Sequence, residues 1–227
     1  MLLILEPSRD PNPGVTASTM PVVPRWEWRS FARTFASPPA NGEADAGAEV
    51  SDEETYLLSL LSPHKVKIRD NHLEVKRLER SDGSGLELWR PVLRAEFPVG
   101  RESLAVACRA WGIEPAAAGA MAHSLADLVR DTVVPHRQLR LVTVMKRRVP
   151  LTVAGCHGER AQLTIGGHRW NTVSFEDTDP GRVRAALREL RLDAGTNESY
   201  PQALKRILAL PDHSSAPAAG AAGRSLY

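Results

Sequence analysis

A chain of 227 residues that is 42% hydrophobic and 25% charged can bury one full-sized core and is not a disordered chain. No run approaches the roughly 18 uninterrupted apolar residues of a membrane helix, and the apolar opening Met1 to Leu5 lacks a basic flank. The reading is therefore a cytoplasmic protein with no membrane partner. The net charge of +2, from 29 basic and 27 acidic residues, excludes a whole-surface argument for nucleic acid.

In chain order, residues 1–24 are proline-rich and read as an irregular lead-in to a domain spanning 25–210. The aromatic-rich Arg25 to Phe35 reads as a strand. Ser37 to Ser51 is rich in Ala, Gly and acids and is expected to be a flexible loop. Lys65 to Arg69 and His72 to Leu78 alternate in the strand period, with Asp70-Asn71 as the hairpin turn between them. A further extended piece follows Trp89 and ends near Pro98. Residues 101 to 111 place Leu104, Cys108 and Trp111 on one helical face, and a second helix is expected over Ala116 to Arg130. Arg140 to Val149, Glu159 to Ile165 and Asn171 to Glu176 read as strands, with a turn at Gly166-Gly167. Asp179-Pro180 opens a helix in which Val183, Leu187 and Leu190 recur. Ser199 and Gln202 have capping-box spacing around Pro201, which starts a helix running to about Leu210. The Ala-, Gly-, Ser- and Pro-rich residues 211–227 read as a disordered tail. The short links leave no room for the crossover helices of a parallel sheet. The fold class expected is α+β, an antiparallel sheet with a few capping helices.

Several strands carry charged residues two apart, a spacing that puts both on one face about 6.5–7 Å apart. Lys67 with Arg69, Lys146 with Arg148, Glu74 with Lys76, and Glu27 with Arg29 all do so. If the sheet curls until these faces converge, the result is a cationic hole holding a few carboxylates. Such a hole suits a polyphosphate, because Arg offers a planar fork of donors and Lys a mobile point charge. The carboxylates suit Mg²⁺ or Mn²⁺, hard cations that bridge to phosphate. The same spacing also fits solvent-facing edge strands, and periodicity alone does not separate the two.

The ordered segments WEWRSF (26–31), KIRDNHLEVKRL (67–78), VMKRRV (144–149), CHGERAQL (156–163), TVSFEDTD (172–179) and NESYPQAL (197–204) resemble the CYTH superfamily, the triphosphate tunnel metalloenzymes. The resemblance implies an eight-stranded antiparallel, tunnel-like β-barrel that binds triphosphate with divalent metal. It assigns phosphate contact to Arg29, Lys67, Arg69, Lys76, Lys146 and Arg148. It assigns metal ligation to Glu27, Glu74, Glu159 and Glu176, with Glu27 and Glu176 catalytic. The family's opening Glu-x-Glu-x-Lys falls on Arg25, Glu27 and Arg29, so Arg25 replaces an acid. Ser174 stands where a second acid of the terminal pair is expected. Glu159 shares its face with Ala161, Leu163 and Ile165, which equally suits a salt bridge.

Two functions follow. One is metal-dependent hydrolysis of inorganic triphosphate or a related short polyphosphate or organic triphosphate, using Mg²⁺ or Mn²⁺. The other is a noncatalytic module that binds polyphosphate or a triphosphate-bearing ligand. Nucleic acid is not an expected partner, and a homo-oligomer is left open. Cys108 and Cys156 read as free thiols. Trp26 and Trp28 share a face opposite Glu27 and Arg29 and read as core or as the seat of an outer helix.

Overall fold

The computed structural model describes residues 23–35, 45–115 and 122–213. The N-terminal lead-in and most of the C-terminal tail expected above therefore lie outside the described residues, as do the first part of the 37–51 loop and the start of the 116–130 helix. Eight strands run β1 (Arg25–Ala32), β2 (Val50–Ser59), β3 (Lys65–Arg69), β4 (His72–Ser81), β5 (Glu87–Glu96), β6 (Leu139–Val153), β7 (Cys156–Ile165) and β8 (His168–Asp177). They pair in the order β7-β8-β1-β5-β4-β3-β2-β6, and β6 pairs again with β7. The second pairing closes the sheet on itself. Every ladder is antiparallel, so the molecule is the closed eight-stranded barrel that the resemblance implied and that charge spacing alone had left open.

Tight turns make this closure possible. Asp70 and Asn71 take φ of 48° and 58°, and Gly166 and Gly167 take 55° and 79°. Left-handed conformations at both central positions match the right-handed twist of the flanking strands. Both turns lie where the sequence placed them.

Four helices cover the barrel: α1 (Arg101–Trp111), α2 (Leu125–Leu128), α3 (Pro180–Glu189) and α4 (Tyr200–Ile207). α2 runs into a π-helical turn over Val129–Val133, so within the described part of the helix expected over 116–130 the helical residues begin at Leu125 as one short turn that then widens. The outward face of β3 and β4 (Val66, Ile68, Leu73, Val75) packs with Leu57 under α1 through Ala107, Cys108 and Trp111. Trp26 and Trp28 lie with Val173 and Phe175 beneath Val183, Ala186 and Leu187 of α3. Both tryptophans thus seat an outer helix, and both cysteines are free and buried.

Strand β2 corrects the sequence reading, which assigned no strand there and gave Val50 and Ser51 to the loop. Its last residues are buried on both faces, Leu57 outward and Tyr56 and Leu58 inward. Two-sided burial removes the alternation by which a strand is recognised. Residues 45 and 46 also form a short ladder with β6.

The barrel interior is divided along its length. On β1 the inward residues pass from Glu27 and Arg29 to Phe31, and on β7 from Glu159 to Ala161, Leu163 and Ile165. On β6 the order reverses, from Val142 and Val144 to Lys146 and Arg148, as an antiparallel neighbour must. One half of the lumen is therefore charged and the other apolar. α4 stops the apolar end, inserting Tyr200, Ala203 and Leu204 among Phe31, Tyr56, Leu58 and Val144. Its start is fixed by the predicted capping box, in which the Ser199 amide donates to Gln202 Oε1 at 2.8 Å, and it ends at Ile207 rather than Leu210.

Leu204 is fully buried in this stopper. Leu204→Ala should lower unfolding free energy by about 2–5 kcal/mol, the cost of a buried leucine and the cavity left behind. A urea titration measures it, and a loss below ~1 kcal/mol would mean that α4 is not packed as described.

Candidate functional site

The charged half of the lumen is a chamber of about 330 Å³. All ten residues singled out from the sequence line it: Glu27, Arg29, Lys67, Arg69, Glu74, Lys76, Lys146, Arg148, Glu159 and Glu176. Glu54, Tyr56, Lys65, His157, Gly158, Ser174 and Tyr200 complete the wall. Seven cations thus face five carboxylates, an excess of two positive charges.

Buried charges survive only when paired, and the chamber is organised by pairs. Lys65 Nζ donates to both oxygens of Glu27 at 2.8 Å, and Arg29 Nε donates to Glu27 Oε1 at 3.3 Å. Lys67 Nζ donates to Glu54 Oε1 at 2.5 Å, while Tyr56 donates to the other oxygen at 2.9 Å. Glu159 Oε1 accepts from Arg29 Nη1 at 3.1 Å and lies 2.8 Å from Lys146 Nζ. Arg69 Nη2 donates to Glu74 at 3.1 Å, and Arg94 holds the same carboxylate from outside. Arg148 pairs with Asp52 at 3.1 Å. Glu176 makes only long contacts, 3.5 Å to Arg25 and 3.8 Å to Lys76.

Ser174 has a clear structural consequence. It lies between Arg29 and Glu159 in the ladder β1-β8-β7, opposite both. Its small side chain leaves room for the Arg29 guanidinium to cross the strand and reach Glu159, with Thr172 Oγ1 accepting on the way at 3.3 Å. Arg25, where the resemblance expects an acid, is half-exposed and reaches Glu176.

Burial and the paired charges set the protonation states. Burial alone would raise the Glu27 carboxyl, but Lys65, Arg29 and Lys76 outweigh it and hold the group far below the usual carboxylate range. The same contest ends at about 2 for Glu54, held by Lys67 and Lys146, and at about 2 for Glu159, held by Arg29 and Lys146. Burial brings Lys65 down to about 8, with Glu27 opposing and Lys76 and Arg29 reinforcing the drop.

The four acids assigned to a metal lie on the chamber wall but not together. Each is engaged by lysine or arginine. Among the described residues no three His, Cys, Asp or Glu side chains gather so that they could hold a metal ion. Mg²⁺ demands a compact octahedron of oxygens, and a cation entering here must displace other cations from their carboxylates. The donor set fits an anion and does not fit a protein-built metal cage.

Glu54, Lys65, Tyr56 and Tyr200 were not singled out from the sequence. Glu54 was lost with β2, although Asp52, Glu54, Tyr56 and Leu58 do recur at strand spacing. Lys65 begins the strand that carries Lys67 and Arg69 on the same face, a signal that was present in the alternation. Tyr200 reaches the chamber only through the docking of α4.

No protein-family model matches the chain, and no curated protein matches it. Solved structures overlap it loosely. An adenylate cyclase candidate from Bacillus halodurans is 14% identical with a TM-score of 0.38, over 69% of this chain and 82% of that one. A Pyrococcus horikoshii protein is 13% identical with a TM-score of 0.43, over 77% and 94%. A conserved hypothetical protein of Pyrococcus furiosus is 11% identical with a TM-score of 0.41, over 78% and 97%. Likeness at this level carries no argument, and the functional reading rests on the chamber.

The depressed carboxyls predict an acid-sensitive fold. Glu54 and Glu159 titrate near 2 when folded and near 4.5 when unfolded, so the unfolded chain binds more protons in that window. Their stabilisation is complete above ~4.5 and lost as pH falls toward 2, on the order of a few kcal/mol for the pair. Glu54→Gln/Glu159→Gln should be less stable than wild type at pH 7, with the gap closing between pH 4.5 and 2. Chemical denaturation across that range measures it, and a gap that does not vary with pH would sink the assignment.

Proposed function

We propose that the chamber binds the phosphate chain of a short polyphosphate or of a triphosphate-bearing ligand, without turning it over. The carrying observation is the convergence of seven cations from β1, β3, β4 and β6 on one cavity, with an excess of two positive charges. In a barrel interior of low effective dielectric, that excess is far stronger than on an open surface. A bound chain supplies the missing anions. Its oxygens accept charge-assisted hydrogen bonds from Arg29, Arg69 and Arg148 and meet the point charges of Lys67, Lys76 and Lys146.

The five carboxylates hold the cations apart and in place while no ligand is bound. Their protonation favours this role, since Glu27, Glu54 and Glu159 stay ionised throughout the neutral range. Hydrolysis by the expected route would route attack through a metal held by Glu27 and Glu176. Glu27 is instead saturated by Lys65 and Arg29, and the Arg25 that stands in place of a family acid neutralises Glu176. Binding is the chemistry that uses every group as it stands.

Calorimetric titration of tripolyphosphate in EDTA should give saturable binding that weakens with salt, together with a higher melting temperature. Lys76→Ala/Arg148→Ala alters two partly exposed chamber cations and should weaken it by about 10–100-fold, as expected for lost contacts to a charged group. Phosphate release from tripolyphosphate, ATP and thiamine triphosphate should be absent with Mg²⁺ or Mn²⁺. Metal-dependent release suppressed by Glu27→Gln or Glu176→Gln would replace this reading with the hydrolytic one.

A further inference from the structure

Arg29 is buried, and the protein itself engages four of the five N–H groups of its guanidinium. Nε donates to Glu27 Oε1 at 3.3 Å. Nη1 donates to Glu159 Oε1 at 3.1 Å and to Thr172 Oγ1 at 3.3 Å, and Nη2 donates to Glu159 Oε1 at 3.2 Å. The Tyr200 ring centroid lies 4.6 Å from the guanidinium carbon, and the Arg29 amide donates to Asn197 Oδ1 at 2.7 Å. Side chain and backbone are both fixed.

One guanidinium thus joins two carboxylates from strands that are not neighbours, Glu27 of β1 and Glu159 of β7. Joining carboxylates from separate elements is what a divalent ion does in an oxygen-lined site. The other approaches to these acids are closed in the same way. Lys65 Nζ donates to both oxygens of Glu27 at 2.8 Å, and Lys146 Nζ lies 2.8 Å from Glu159 Oε1. Arg29 reaches Glu159 because Ser174, which stands between them in the ladder, is small. A guanidinium never loses its proton and is weakly hydrated, whereas Mg²⁺ sheds its water reluctantly. An ion entering here would also meet Arg29, Lys65 and Lys146, all of its own sign.

We infer that Arg29 is the resident cation of this site. It holds the bridging place between Glu27 and Glu159, so the chamber refuses Mg²⁺ and Mn²⁺ and takes its anion stripped of metal. The refusal stands on the ion pairs alone, while the metal-free form of the ligand rests on the anion-binding reading above. A phosphate chain that arrives with Mg²⁺ must release it before its oxygens can meet Lys67, Arg69 and Lys76. Mg²⁺ is therefore a competitor of the chamber, and it acts by sequestering the ligand.

Mn²⁺ alone, titrated into the full chain and followed by electron paramagnetic resonance of the free ion, tests the refusal. Wild type should leave Mn²⁺ free up to about 1 mM. Arg29→Gln removes the cation and supplies a neutral oxygen, and it should bind Mn²⁺ about 10-fold more tightly or better, a gain that adding Glu159→Gln abolishes. Calorimetric titration of tripolyphosphate into wild type, in EDTA and in millimolar Mg²⁺, is the second arm. Mg²⁺ should lower the apparent affinity, and the two curves should coincide when plotted against uncomplexed tripolyphosphate. Saturable Mn²⁺ binding by wild type, no gain in folded Arg29→Gln, or tighter tripolyphosphate binding in Mg²⁺ overturns the inference. If Arg29→Gln does not fold, the two wild-type titrations decide it. If tripolyphosphate does not bind in EDTA, the anion-binding reading falls, and the Mn²⁺ comparison still decides the refusal.

Discussion

The structure depends on holding seven cations and five carboxylates, the innermost of them buried, in ion pairs inside a closed sheet. Lone charges in such a place would cost several kcal/mol each. Each carboxylate is therefore shared: Glu27 between Lys65 and Arg29, and Glu159 between Arg29 and Lys146. The partners come from different strands, so the network also fixes the barrel's cross-section. Arg29 alone ties β1 to β7 across β8, which works because Ser174 is small.

This arrangement needs strong apolar support, since taking the charges out of water offsets much of what their pairing gains. The support is distributed over three clusters: one under α1, one under α3 and one inside the lumen around α4. The outer two let strands β1, β3 and β4 turn their apolar faces away from the lumen and their charged faces into it. The inner one ends the tunnel and turns a channel into a chamber. Position along the barrel, rather than residue type alone, separates the charged wall of the chamber from the apolar wall that holds the fold.

Legibility followed the period-two pattern. Lys67 and Arg69 were readable because β3 has one polar and one apolar face, as Val66 and Ile68 show opposite Lys67, whereas on β6 only the two-residue spacing of Lys146 and Arg148 was legible, since Val142 and Val144 share their face. The hairpins at Asp70-Asn71 and Gly166-Gly167 were readable because left-handed backbone selects those residues. Strand β2 was not, because both of its faces are buried and its acidic start resembles a loop. Glu54 went with it. For Glu159, salt bridge and site are one role here, since the carboxylate that lines the chamber is also the one that joins Arg29 to Lys146.

By itself the sequence determined that charges recur at strand spacing on several segments joined by short links, and that Arg25 and Ser174 stand where the resemblance expects acids. Those are local properties, written in spacing and residue type. Only the tertiary structure decided that the charged faces meet in one lumen, that each carboxylate is already claimed by a cation, and that Tyr200 forms the floor. These depend on closure between β6 and β7 and on where α4 docks, contacts between residues far apart in the chain, which no local pattern encodes.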